Sequence, residues 1–110
     1  LAEGWEIGPR EAQRRLERDR LTVLLDVRSS QERELACIAG SLHLPMEEIP
    51  RRLHELAALE DRPIIVHCHH GMRSFQVTAF LREQGFEEVL SMAGGIDLWA
   101  RAVDGGVGRY

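Results

Sequence analysis

Pro63-Ile64-Ile65-Val66-His67-Cys68-His69-His70-Gly71-Met72-Arg73-Ser74 is the stretch on which the reading of this chain turns. Ile64 to His67 read as a short strand buried between covering layers. Cys68 to Arg73 make a loop opened by a thiol and closed by a guanidinium, and Ser74 begins a helical pattern. Where a strand stops and a helix starts, successive backbone N–H groups can converge on the loop, and the positive end of the helix dipole adds to them. An anionic sulfur, or an anion attached to it, is favoured at such a junction.

The flanking sequence repeats the strand-then-helix alternation. Upstream, Leu21 to Val27 is nearly continuous apolar strand with Asp26 at its end, and Ser29 or Ser30 caps a short helix through Leu35 with Glu32 or Arg33 in its first turn. Before it, Trp5-Glu6-Ile7 reads as a brief edge strand and Pro9 to Arg18 as a surface helix with proline in its first turn. Ile38 to Pro45 reads as turn, short strand and stop. Ile49, Leu53 and Leu56 then recur at helical spacing. Downstream, Val77, Phe80 and Leu81 share one helical face ended by Gly85, Glu88 to Met92 is a last strand, and Gly94-Gly95 turns into Ile96 to Trp99. Such βαβ units predict an α/β fold with a mostly parallel sheet and helices on both faces. Ligands gather beyond the carboxyl ends of such strands, so Asp26 and Cys68 fall on the same rim.

The 110 residues fit a single domain over 1–110, with a core about 7–103 and an irregular tail 104–110 containing three glycines, Gly105, Gly106 and Gly108. A charged fraction of 29% and a hydrophobic fraction of 44% describe a globular chain, and the net charge of −4 gives no general attraction to nucleic acid or an anionic membrane. There is neither a membrane-spanning run nor a signal-peptide pattern, so the expected location is cytoplasmic. The opening Leu1, in place of methionine, reads as a fragment or a processed chain. Cys37, among Leu35, Ala36 and Ile38, reads as a small buried thiol rather than a resolving cysteine.

Four chemistries compete for Cys68. A structural cysteine is disfavoured by Gly71, which permits φ > 0, and by the nearby cation Arg73. A metal site is weakly signalled, since adjacent His67, Cys68, His69 and His70 cannot all converge on one ion and no second ligand pair follows; no metal is expected. Phosphoryl or arsenate chemistry through a low-pKa thiol suits Cys-x5-Arg loops, whereas Cys68 to Arg73 is Cys-x4-Arg, one residue tighter. Sulfur transfer is the fourth reading: the thiolate takes a sulfane sulfur from a donor such as thiosulfate, and Arg73 attracts an anionic donor.

The same residues resemble the single-domain rhodanese (thiosulfate sulfurtransferase) family from about Ile7 to Trp99. Leu24-Leu25-Asp26-Val27-Arg28 resembles its opening L-L-D-V-R, and Ile38 to Pro45 its I-P-G-A-x-x-I-P. Cys68 to Ser74 resembles its C-x-x-G-x-R-S, and Gly94 to Trp99 its G-G-x-x-x-W. The resemblance implies a central parallel five-stranded sheet flanked by helices and Cys68 as the persulfide carrier. It implies a substrate-binding loop of His69, His70, Gly71, Met72 and Arg73, with Asp26, Arg28 and Ser74 in support. The expected enzyme needs no cofactor; its partners are a small sulfur donor and a thiol or protein sulfur acceptor, with no nucleic acid and no membrane. A phosphatase or arsenate reductase and a sulfur-relay or interaction module are the alternatives. Cys37, Ala39 and Arg33 depart from the family pattern at a supporting turn, while His69, His70 and Met72 depart from it at the loop rim, where donor and acceptor preference is set.

Overall fold

The computed structural model describes residues 4–108 and 110; Leu1 and Arg109 of the tail, on which two of the expectations touch, lie outside them. Five strands form one sheet: β1 (Glu6–Ile7), β2 (Val23–Asp26), β3 (Leu42–His43), β4 (Ile64–His67) and β5 (Val89–Met92). Their order is β1-β5-β4-β2-β3 and every neighbouring pair is parallel. The helices are α1 (Pro9–Arg18), α2 (Ser30–Leu35), α3 (Leu53–Ala57), α4 (Met72–Glu83) and α5 (Gly95–Ala102). The parallel sheet with helices on both faces is what the alternating pattern predicts, and its five strands are what the family resemblance implies.

Period-two alternation along the central strands divides the core. Val23, Leu25, Ile64 and Val66 point to one face and pack with Leu56 of α3 and Val77 and Leu81 of α4. Leu24 and Ile65 point to the other face, against Ala12 of α1 and Ile96 and Trp99 of α5. Each of these large side chains contributes about 1.5–3 kcal/mol by leaving water. Cys68, one step beyond β4, lies on the face covered by α4.

Local chemistry shifts several boundaries. Strand β2 starts at Val23, whose N–H reaches Pro63 O at 2.8 Å, while Leu21 is turned to solvent with its N–H on Asp19 Oδ1. Helix α4 starts at Met72, two residues before the expected Ser74, because Gly71 with φ +110° turns the chain into the helix directly. The expected helix after Ile49 is broken into 3-10 turns at Met46–Glu48 and Pro50–Arg52 before α3. Pro50 lacks the N–H a continuous helix would use. Cys37 is exposed, not buried as expected: Ala36 and Ile38 point inward from an extended segment, and the residue between them faces out. The tail carries a 3-10 turn, Gly105–Val107, and Tyr110 packs back against the loop after β4.

Candidate active site

The loop after β4 curls around its own sulfur. Cys68 Sγ accepts N–H groups from Gly71 at 3.1 Å and Ser74 at 3.3 Å, and its thiol faces Ser74 Oγ at 3.5 Å. Ser74 Oγ donates to Gly71 O at 3.1 Å and meets Ser91 Oγ of β5 at 2.8 Å, so the hydroxyl pair braces the turn from the neighbouring strand. The amides of Met72 and Arg73, first in α4, meet no acceptor among the described residues. They are donors left open where the helix dipole is positive.

A second element holds the loop from outside. Ile96 N donates to Cys68 O at 2.8 Å and Asp97 N to His69 O at 3.1 Å, so the first turn of α5 takes up two loop carbonyls. This contact demands glycine at the corner. Gly95 has φ +58°, and a Cβ there would overlap the backbone of Cys68 and His69. Gly71 packs nearly as closely, its would-be Cβ standing 3.1 Å from Gly94 N.

Beneath the loop, Asp26 and Arg28 form the ion pair their spacing allowed, both fully buried. Arg28 Nε and Nη2 donate to the two carboxylate oxygens at 2.9 and 2.8 Å, and Arg28 N adds a third bond at 3.0 Å. Burial alone would raise the Asp26 pKa, but the Arg28 hydrogen bonds and nearby His67 outweigh it and hold the carboxyl below its usual range. Arg28 also donates to Ala36 O and Glu32 O, tying α2 to the strand rim. Arg33, expected only at a supporting turn, reaches Asp26 Oδ2 at 3.0 Å and the Ser41 carbonyl at 3.0 Å.

Glu32 is the residue whose role sequence reasoning missed. It closes a capping box with Ser29, the S-x-x-E signal that was legible, but it also takes both outer nitrogens of Arg73 at 2.6 and 2.8 Å. The guanidinium expected to attract a donor is thus paired to α2. Tyr110 donates its phenol to Glu32 Oε2 at 2.7 Å, accepts from Arg28 Nη1 at 3.0 Å, and stacks its ring 4.0 Å from that of His69. Burial pushes the phenol up to about 12, so it stays a donor near neutral pH. Ser91, the polar residue inside an apolar strand, and Tyr110, far along the tail, were the other omissions.

The histidines separate into distinct roles. His70 is mostly exposed and 4.0 Å from Asp97 Oδ2, while His69 lies between the His70 and Tyr110 rings. His67 is fully buried, its Nε2 4.0 Å from Asp26 Oδ2 and without a hydrogen-bond partner among the described residues. Burial lowers the His67 pKa to about 4 against the pull of Asp26, and burial lowers His69 as well. At pH values between the unfolded value of about 6.5 and about 4, the unfolded chain binds a proton at His67 that the folded chain refuses. Stability should therefore fall as pH falls through that window, by about 2 kcal/mol between about pH 7 and pH 5. Urea unfolding at the two pH values checks this, and His67→Leu should flatten the difference; a pH-independent midpoint in the wild type contradicts it.

Cys68, His69, His70, Met72, Arg73 and Gln76 line a cavity of about 370 Å³. Of the expected site residues, Cys68, His69, His70, Met72 and Arg73 line this cavity, and Gly71 and Ser74 hold the sulfur from the buried side. The Asp26–Arg28 pair connects to the loop through Glu32, whose carbonyl Arg28 binds and whose carboxylate pairs with Arg73. Among the described residues no cluster of His, Cys, Asp and Glu is arranged to hold a metal ion, and no helix is long and apolar enough to cross a membrane.

The model of the family described as rhodanese-like domain matches residues 8–102. The chain is 40% identical over 79 residues to a sulfurtransferase of Allochromatium vinosum, covering 72% of each protein. It is 39% identical over 97 residues to thiosulfate sulfurtransferase GlpE of Haemophilus influenzae, covering 88% of this chain and 89% of that one. The crystal structure of a rhodanese-like domain protein from Staphylococcus aureus superposes with a TM-score of 0.80 at 24% identity, over 96% of this chain and 97% of that one, a likeness of fold.

Proposed function

We propose, from the premise that this chain belongs to the rhodanese-like domain family, that it is a thiosulfate sulfurtransferase working through Cys68. The observation that carries the reading is the sulfur of Cys68, held by the N–H groups of Gly71 and Ser74 and bordering a cleft lined by His69, His70, Met72 and Arg73 of the same loop. In the first step the Cys68 thiolate attacks the outer sulfur of thiosulfate; the S–S bond of the donor breaks and sulfite leaves with the electron pair. The product is an anionic Cys68 persulfide. In the second step a nucleophile, cyanide or a thiolate, attacks the outer sulfur of that persulfide, and the electron pair returns to Cys68 as thiolate.

The charge on sulfur persists through both steps, first on the thiolate and then on the outer sulfur of the persulfide. Loop amides fixed in place cost no reorganisation as it moves. The open N–H groups of Met72 and Arg73 are available to that outer sulfur. The tight Cys-x4-Arg spacing supports a single-sulfur cargo over a tetrahedral phosphate. The acceptor is a small thiol or a protein sulfur acceptor, and the reading places the chain in the cytoplasm as one domain.

Incubation with thiosulfate should add one sulfur, about 32 Da, to the intact protein by the covalent route. Peptide mapping should place it on Cys68. Cys68-dependent hydrolysis of an aryl phosphate without any sulfur uptake would replace this reading by the phosphatase one. Loading from a protein persulfide but never from thiosulfate would make the chain a relay.

A further inference from the structure

We propose that Glu32 sets the affinity of this site for anionic donors by occupying the guanidinium that would otherwise bind them. The inference rests on the sulfurtransferase reading and names the residue that tunes its donor class: with Glu32 in place, dianions such as thiosulfate are held weakly relative to donors carrying little charge.

Arg73 lines the cavity beside Cys68, yet both its outer nitrogens are spent on Glu32, at 2.6 and 2.8 Å. Among the described residues, the other arginines near the loop are committed as well. Arg28 and Arg33 both bind Asp26, and Arg101 binds Asp97 at 3.1 Å. A dianion approaching Cys68 therefore meets a neutralised pair, and the nearer its charge comes to Arg73 the nearer it comes to the Glu32 carboxylate. Glu32 cannot simply swing aside. Its oxygens also accept Ser29 N at 3.1 Å and the Tyr110 phenol at 2.7 Å, which moors it to α2 and to the segment stacked on His69. The donor must compete with a bidentate, charge-assisted pair whose members are only partly screened, the side chains being 37% and 19% exposed.

Glutamine at position 32 removes the charge and keeps the shape. Its amide oxygen can still serve the third position of the capping box, so α2 retains its start. The probe is sulfate, an unreactive tetrahedral dianion, titrated into nitrogen-15-labelled protein while the amide signals of Gly71 to Ser74 are followed. Glu32→Gln should bind sulfate at least about 5-fold more tightly than wild type, the scale of a partly exposed ion pair. In an Arg73→Gln background the same change should bring no tightening, because its effect runs through Arg73. In turnover, Glu32→Gln should lower the KM for thiosulfate.

Equal sulfate affinity in wild type and Glu32→Gln overturns the proposal, as does equal tightening with and without Arg73, which would be a general effect of net charge. Saturable shifts in neither protein overturn it too. Sulfate binding is read without chemistry, so a failure here leaves the persulfide mass result standing. A missing persulfide, conversely, would remove the reaction without explaining away a changed anion affinity.

Discussion

Serine in place of Cys68 is expected to leave the fold intact and reduce sulfur transfer from thiosulfate to cyanide by roughly 10³-fold or more, the loss typical of removing a covalent nucleophile. A hydroxyl at that position can still accept the N–H groups of Gly71 and Ser74, so the loop keeps its internal bonds. What it cannot do is form the sulfur–sulfur bond, since an alcohol is scarcely ionised near neutral pH and has little affinity for sulfane sulfur. Cys37→Ser serves as the matched control, because the Cys37 thiol is exposed and lies outside the residues lining the cavity. Steady-state thiocyanate formation, with thermal unfolding measured in parallel, checks the pair. Undiminished turnover in Cys68→Ser, or a comparable loss in Cys37→Ser, would send the chemistry elsewhere.

Asp26→Ala should be the most damaging single change to stability, costing about 3–5 kcal/mol, because it strands a buried cation. Arg28 is fully inaccessible, and among the described residues its one carboxylate partner is Asp26. Its remaining bonds, to Ala36 O, Glu32 O and Tyr110, are to uncharged groups. Arg33 would lose the same carboxylate. Replacing both members of the pair, as Asp26→Leu with Arg28→Met, should cost less than the single change, since no unpaired charge is then left inside. Denaturant unfolding of the three proteins decides it; a loss below about 1 kcal/mol in Asp26→Ala would mean the pair is not what holds the rim.

The parts of this protein that sequence made legible are those governed by local rules. Apolar runs such as Ile64 to Val66 mark strands whatever surrounds them, and Gly94-Gly95 announces a corner. The placement of Asp26 and Cys68 on one rim followed from topology, and the Asp26–Arg28 pair from a spacing of two residues. The errors have the opposite character. Whether Cys37 faces in or out depends on the phase of an irregular extended segment, for which two apolar neighbours are no guide. The pairing of Arg73 with Glu32 joins residues 41 apart in sequence, and that of Tyr110 with Glu32 joins residues 78 apart. No periodicity encodes such contacts. Ser29-x-x-Glu32 was readable as a cap, but the same carboxylate's second allegiance is a property of the folded rim alone.

The grip of α5 on Cys68 O and His69 O reaches further than two hydrogen bonds. A trans peptide is flat, with its carbonyl and its N–H pointing opposite ways. Drawing those two oxygens outward therefore obliges the N–H groups of His69 and His70 to face the interior of the curl. The polarity of the receptor is in this sense imprinted from a corner more than 20 residues downstream, at Gly95 to Asp97. Grafting Cys68 to Arg73 onto a foreign scaffold without that corner would transplant the letters and leave behind the mould that makes them a sulfur cup.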